Sequence, residues 1–186
     1  MSNPFKSIWE YFSGAIIHKK NDLEEQIILK DEEISRLNVV IEKLKIRKDM
    51  SFPASYNTIS IYDTLTLLQE CTPDIYLSDM SFDLTTQEEA SKFSEETAVQ
   101  YRTWVNEKHD CDNFSFASMG YWSDGLKSFA FGIAWSKNHA FNIMVDKDKN
   151  VWIIEPQSNK WYTLDYIKEN PKIGELIYYP MRMIVM

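Results

Sequence analysis

Three side chains in this 186-residue chain have the types and the order that covalent chemistry needs: Cys111 in HDCDNFSFA, His139 in NHAFNIMV and Glu155 in VWIIEPQ. A cysteine attacks as its thiolate, and a helix N-terminus together with a neighbouring imidazolium lowers a thiol pKa. The first condition is met if CDNFSFA opens a helix, and its apolar spacing, with Phe114, Ala117 and Tyr121 on one face, predicts one. Asp110 and Asp112 act the other way, because adjacent carboxylates raise a thiol pKa unless they point away or hold a cation. A base has to come from one of three histidines. His18 belongs to the N-terminal segment, and His109 is two residues from the thiol, an awkward approach at a helix start. His139, at the tip of a strand, is the expected base.

An imidazole in that role needs a group to orient its second nitrogen. If DKDKN forms an odd-length turn that pairs Asp146 with Asn150, His139 faces Gln157 and Phe141 faces Glu155, with all four side chains on one face. Glu155 is then the diagonal neighbour of His139. A carboxylate that follows three apolar residues is costly to half-bury without a partner, and an imidazolium supplies one. Gln157 is a further candidate to orient the imidazole or the substrate, and Asn106 to donate to an oxyanion beside the Cys111 backbone N–H. Asn142, on the opposite face of its strand, reads as structural, and Cys71, at the end of TLLQECTP, as a core thiol. Asp146, Asp148 and Asn150 alternate like calcium ligands, but the glycine and distant glutamate of an EF-hand are missing, so a solvated turn is expected.

The elements that must carry these residues read as two parts. Residues 16–48 repeat apolar side chains at alternating three- and four-residue steps. Ile27, Ile34 and Ile41 fall at one seam position and Leu23, Leu37 and Leu44 at the other, which predicts a parallel dimeric coiled coil interrupted by Lys30. A single amphipathic helix lying on its own domain is the alternative. SFPASYN, residues 51–57, reads as a linker, giving a division into 1–50, 51–57 and 58–186. IYDTLTLLQEC reads as a helix, and DLTTQEEASKFSEETAVQYRTWVNEK as a longer one with a capping box formed by Thr86 and Glu89. From residue 128 the period changes to two: SFAFGIAW, HAFNIMV, VWIIE and LIYYPMRMIVM read as strands. Helices first and an antiparallel sheet last make an α+β fold.

Composition limits the partners. With 44% hydrophobic and 14% aromatic residues the chain buries a real core. Residues 1–50 balance nine Lys/Arg against nine Asp/Glu, so the net charge of -8 falls on residues 51–186, a surface that repels phosphate backbones and argues against nucleic acid. Two cysteines are too few for a disulfide scaffold. The N-terminus does not read as a signal peptide or a membrane span, so a cytoplasmic protein is expected.

Cysteine, then histidine, then an acid or amide is the order of papain-like cysteine hydrolases. CDNFSFA, GIAW, NHAFNIMV and VWIIEPQ, over residues 100–160, resemble more narrowly the protease domain at the C-terminus of a mushroom agglutinin and its bacterial and phage relatives. The resemblance implies a papain-like fold with Cys111 as nucleophile, His139 as general base and Glu155 as orienting residue. It also implies calcium dependence, for which Asp110 and Asp112 are the candidate ligands. The function expected is hydrolysis of a peptide or amide bond by a self-associating protein. The alternative is a non-enzymatic assembly or binding protein with an inactive papain-like head.

Overall fold

The computed structural model describes residues 19–21, 23–35, 37–38, 50–105, 108–123 and 125–186. The chain divides into two units, Met1–Asp49 and Met50–Met186. In the first, the described residues between 19 and 38 are helical and form α1. Its seam residues Leu23, Ile27, Ile34 and Leu37 are all about half exposed, as are Ile28 and Leu29. Ile16, Ile41 and Leu44 of the expected coiled coil lie outside the described residues. Among the described residues no helix is long and apolar enough to cross a membrane.

Helices of the second unit start where a side-chain oxygen can accept a backbone N–H left free by the first turn. Ser60 accepts from Asp63 at 3.1 Å and opens α2, Ile61–Leu68. Thr86 accepts from Glu89 at 3.1 Å and opens α3, Gln87–Glu96. Asp110 precedes α4, Cys111–Trp122, and Thr163 accepts from Tyr166 at 3.2 Å ahead of α5, Leu164–Glu169. The strands are β1 Asn57–Ser60, β2 Ile75–Tyr76, β3 Ser81–Leu84, β4 Phe131–Trp135, β5 Ala140–Val145, β6 Val151–Glu155, β7 Lys160–Thr163, β8 Lys172–Ile173, β9 Leu176–Ile177 and β10 Met183–Val185. Six of them form one sheet in the order β2-β10-β4-β5-β6-β7; β1 pairs with β3 and β8 with β9.

The period of two along β5 and β6 sends side chains to two cores. Phe141, Ile143, Val145 and Ile153 face one side with Leu68 of α2, Leu164 and Ile167 of α5, and Tyr178. Met144 and Ile154 face the other with Ala90 and Phe93 of α3 and Trp122 of α4. Each large apolar side chain enclosed in this way contributes about 1.5–3 kcal/mol. Gly132 in β4 is required by close approach, since a Cβ there would collide with the Val185 carbonyl oxygen and with Met186.

The α+β class holds, with four differences from the sequence reading. The order is not helices first: β1, β2 and β3 all precede α3, and β2 lies parallel to β10 in an otherwise antiparallel sheet. Two- and four-residue strands are too short to establish a period, so pairing partners distant in sequence decided them. The long helix expected from DLTTQEEASKFSEETAVQYRTWVNEK is divided. Asp83 and Leu84 belong to β3, and α3 stops at Glu96, where Thr97 Oγ1 donates to the Ser94 carbonyl (2.7 Å) and Ala98 turns left-handed at φ 55°. The capping box is half formed, because the Glu89 carboxylate accepts instead from Ala54 N–H, Tyr56 Oη and Thr85 Oγ1. Those contacts also correct the linker. Residues 50–56 belong to the second unit, with the Phe52 ring 4.9 Å from Phe93 and Tyr56 N–H donating to Leu84 O at 2.9 Å.

Candidate active site

Cys111 is the first residue of α4, and the site is built by fixing that helix start against one end of the sheet. Asn113 Oδ1 accepts the Asp110 backbone N–H at 3.1 Å, which tightens the entry to the helix. Asn142 of β5 then ties helix to sheet. Its buried Nδ2 donates to the Ser115 carbonyl of α4 (3.1 Å) and to the Gly132 carbonyl of β4 (3.0 Å), bridging the two layers one turn after Cys111. A strand amide is a costly core residue, and its Oδ1 is buried without a partner. What offsets the cost is that α4 is held at a fixed height on β5. The structural reading of Asn142 agrees with this position.

His139 sits immediately before β5, at the end of a tight β4–β5 connection. Ser136 N–H donates to the His139 carbonyl at 2.9 Å, and Asn138 Oδ1 accepts Ile177 N–H at 3.1 Å, so both sides of the turn are anchored. The β5–β6 hairpin has the register read from the sequence. Asp146 N–H donates to Asn150 O at 3.0 Å, and the ladder runs Val145 opposite Val151 through Asn142 opposite Ile154. That register brings Glu155 to the imidazole: His139 Nε2 and Glu155 Oε2 are 2.6 Å apart, and both side chains are almost wholly buried.

The Cys111 thiol interacts with the same imidazole and strengthens its hold on a proton. Nδ1, the nitrogen left over by the Glu155 bond, is buried and has no hydrogen-bond partner among the described residues. Burial pushes the His139 pKa down, but the influence of the Cys111 sulfur and of the bonded Glu155 carboxylate more than reverses this, and it is pushed up to about 9. Burial pushes Glu155 up, and the His139 bond, aided by Tyr178 and the Gln157 N–H, leaves it below the ordinary carboxylate range. The arrangement therefore favours a charged imidazole beside a buried carboxylate, with the half-buried Cys111 acting on the same ring.

Other residues singled out in the sequence fall differently. Gln157 does not stay opposite His139: β6 ends at Glu155 and residues 156–159 turn, so it contributes its backbone N–H, 3.1 Å from Glu155 Oε1. Asn106 and His18 lie outside the described residues. His109 Nδ1 lies 2.8 Å from the Thr103 carbonyl. Asp112 Oδ1 accepts the Asn113 N–H at 2.8 Å, and among the described residues no three His, Cys, Asp or Glu side chains converge as a metal site. In DKDKN, Asp146 is buried rather than solvated. Its carboxylate accepts from Asp148 N–H and Asn150 N–H (both 2.9 Å), Asn150 Nδ2 (3.0 Å) and Trp152 Nε1 (2.8 Å), and so serves as the hub of the turn. Cys71 is buried in the core and burial pushes its thiol up to about 12. A cavity of about 370 Å³ at the C-terminal end of α4, lined by Asp79, Trp122 and Phe129 among others, contains none of Cys111, His139 and Glu155 and offers neither thiol nor imidazole.

Tyr178 was missed by sequence reasoning. Its hydroxyl donates to Glu155 Oε2 at 2.6 Å, and its ring stands edge-on to His139 at 5.0 Å. A donor count held the signal: a buried carboxylate accepts several hydrogen bonds, and the sequence had supplied Glu155 with one partner.

No protein-family model and no curated protein sequence matches the chain. Among solved structures it is similar to a complex titled "PSL1a-E64 complex", at 18% identity and TM-score 0.54, over 69% of this chain and 51% of that one. It is similar also to the Polyporus squamosus lectin bound to the epitope Neu5Aca2-6Galb1-4GlcNAc, at 19% identity and TM-score 0.53, over 69% of this chain and 49% of the lectin. The chain spans about half the length of these structures, and the likeness is one of fold.

Proposed function

We propose that the protein is a cysteine-dependent hydrolase of a peptide or amide bond, with a papain-like head in which Cys111, His139 and Glu155 act as nucleophile, base and orienting residue. The observation that carries this reading is the buried His139–Glu155 pair, with the Cys111 thiol acting on the same imidazole. Sγ attacks the carbonyl carbon, and the thiol proton resides on His139. The C–N bond breaks as His139 gives that proton to the leaving amine. Water then gives a proton to the imidazole and attacks the thioester, which releases the acid and restores the thiol. Glu155 holds Nε2 throughout, which leaves Nδ1 as the nitrogen that takes up and returns the thiol proton. No step passes through calcium.

The neighbour complexed with E64 names a usable probe. The full chain incubated with this thiol-directed epoxide is expected to gain one adduct, mapped to Cys111 by mass spectrometry, and Cys111→Ser and His139→Ala are expected to gain none. A chain unreactive to both E64 and iodoacetamide at neutral pH would sink the proposal. Turnover of unfolded protein against turnover of purified peptidoglycan then separates a peptidase from a cell-wall amidase.

The helix α1 supports self-association into a parallel dimer, because its seam is apolar and half exposed. Sedimentation of the full chain at micromolar concentration is expected to give twice the monomer mass, and Ile27→Asp with Ile34→Asp the monomer. The second reading, a non-enzymatic binding or assembly protein, is favoured by the oligosaccharide on the lectin neighbour. Saturable binding of that oligosaccharide by a chain with an unreactive Cys111 would establish it instead.

A further inference from the structure

We propose that Tyr178 is a positioning residue of this site, whose hydroxyl keeps the Glu155 carboxylate ionised and aimed at His139. The inference rests on the hydrolase reading above.

Glu155 Oε2 accepts from two donors at once, His139 Nε2 and Tyr178 Oη, each at 2.6 Å, and Oε1 accepts the Gln157 N–H at 3.1 Å. An ionised carboxyl oxygen has two lone-pair directions, so the hydroxyl fills the one the imidazole leaves. The carboxylate cannot turn from His139 without breaking the tyrosine bond as well. Packing alone does not require the hydroxyl. The ring is 1% exposed and touches Phe141 (5.0 Å) as well as His139, a setting in which phenylalanine would pack as well without a polar atom to satisfy. The residue is fixed from its own backbone, Tyr178 N–H donating to Pro171 O at 2.9 Å. The other titratable groups around Glu155 are Cys111, which acts on the same imidazole, Tyr162 beside the Tyr178 ring, and the exposed Lys160 paired with Glu155 on β7.

The test is the pH profile of iodoacetamide alkylation at Cys111, read by peptide mapping on the full chain from about pH 4 to about pH 10. Removing a donor that favours the charged carboxylate raises its proton affinity. Tyr178→Phe is therefore expected to move the acid limb upward by about one pH unit. Site-specific 3-fluorotyrosine at 178, a more acidic phenol of nearly the same size, strengthens the bond and is expected to move the limb the other way. A Tyr178→Phe profile that superimposes on the wild type overturns the proposal and leaves the hydrolase reading standing. If Tyr178→Phe does not fold, the fluorotyrosine chain decides alone, a shifted limb supporting the proposal and an unshifted one ending it. A wild-type thiol that alkylates like a free one, with a midpoint near about 8.5 and no response to His139→Ala, removes the hydrolase reading and this inference together.

Discussion

The molecule has two cysteines in two helix settings. Cys111 opens α4, half-buried, at the end of a helix where backbone N–H groups point outward, and an imidazole held by a buried carboxylate lies against it. Cys71 follows the C-terminal end of α2, buried among core side chains, with burial pushing it up to about 12 despite Lys168 nearby. Residue type is the same at both; what differs is the end of the helix and the polarity of what packs against it. A thiol's reactivity is a property of its address in the fold.

The sharpest way to break this comparison is a native competition. Iodoacetamide at neutral pH is expected to modify Cys111 at least about 1,000-fold faster than Cys71, with the ratio collapsing toward one in denaturant. Equal native rates, read by peptide mapping, would remove the distinction. Next in size is His139→Ala, which is expected to lower the Cys111 alkylation rate at about pH 6.5 by about 100-fold, leaving the rate of a free thiol. An unchanged rate constant would mean that the imidazole does not serve the sulfur.

The charged pair also sets a pH window for stability. His139 has a folded pKa of about 9 against an ordinary 6.5, so its contribution is complete below 6.5 and is lost as pH rises through 9. Glu155 is lowered from an ordinary 4.5, so its contribution is present above 4.5 and is lost as pH falls below that. Denaturant midpoints are expected to be highest between these limits, and Glu155→Gln to remove the fall on the acid side. An acid limb unaltered in Glu155→Gln would assign it to other carboxylates. The smallest effect belongs to Cys71→Ala. It empties part of the core and is expected to cost about 1–2 kcal/mol of unfolding free energy, with the Cys111 alkylation rate unchanged.

Much of the site was legible because hairpin geometry is local. An odd-length DKDKN turn fixed the β5–β6 register, and a strand's strict period of two then carried that register outward to His139 and Glu155. The same reasoning failed at Gln157, because Pro156 follows the last strand residue and the chain turns before a second pair can form. It failed also at Asp146, which looked like a solvated turn residue. Whether a turn carboxylate is wetted or buried depends on the neighbours that cover it, here the indole of Trp152 and the amide of Asn150. Tyr178 was invisible for a related reason: it reaches Glu155 from 23 positions away, and no local pattern links its segment to the β5–β6 hairpin.

By itself, then, the sequence determined the features that follow from short-range stereochemistry. These are the helix beginning at Cys111, the strand alternation and hairpin pairing after residue 128, and the apolar seam of the N-terminal segment. Tertiary structure alone decided which face of the sheet α4 covers, that β2 joins β10, and that Tyr178 and the Gln157 N–H complete the shell around Glu155. The physical reason is range. Backbone dihedrals and side-chain period are set within a few residues, whereas desolvation and the satisfaction of a buried charge depend on every group that closes over it.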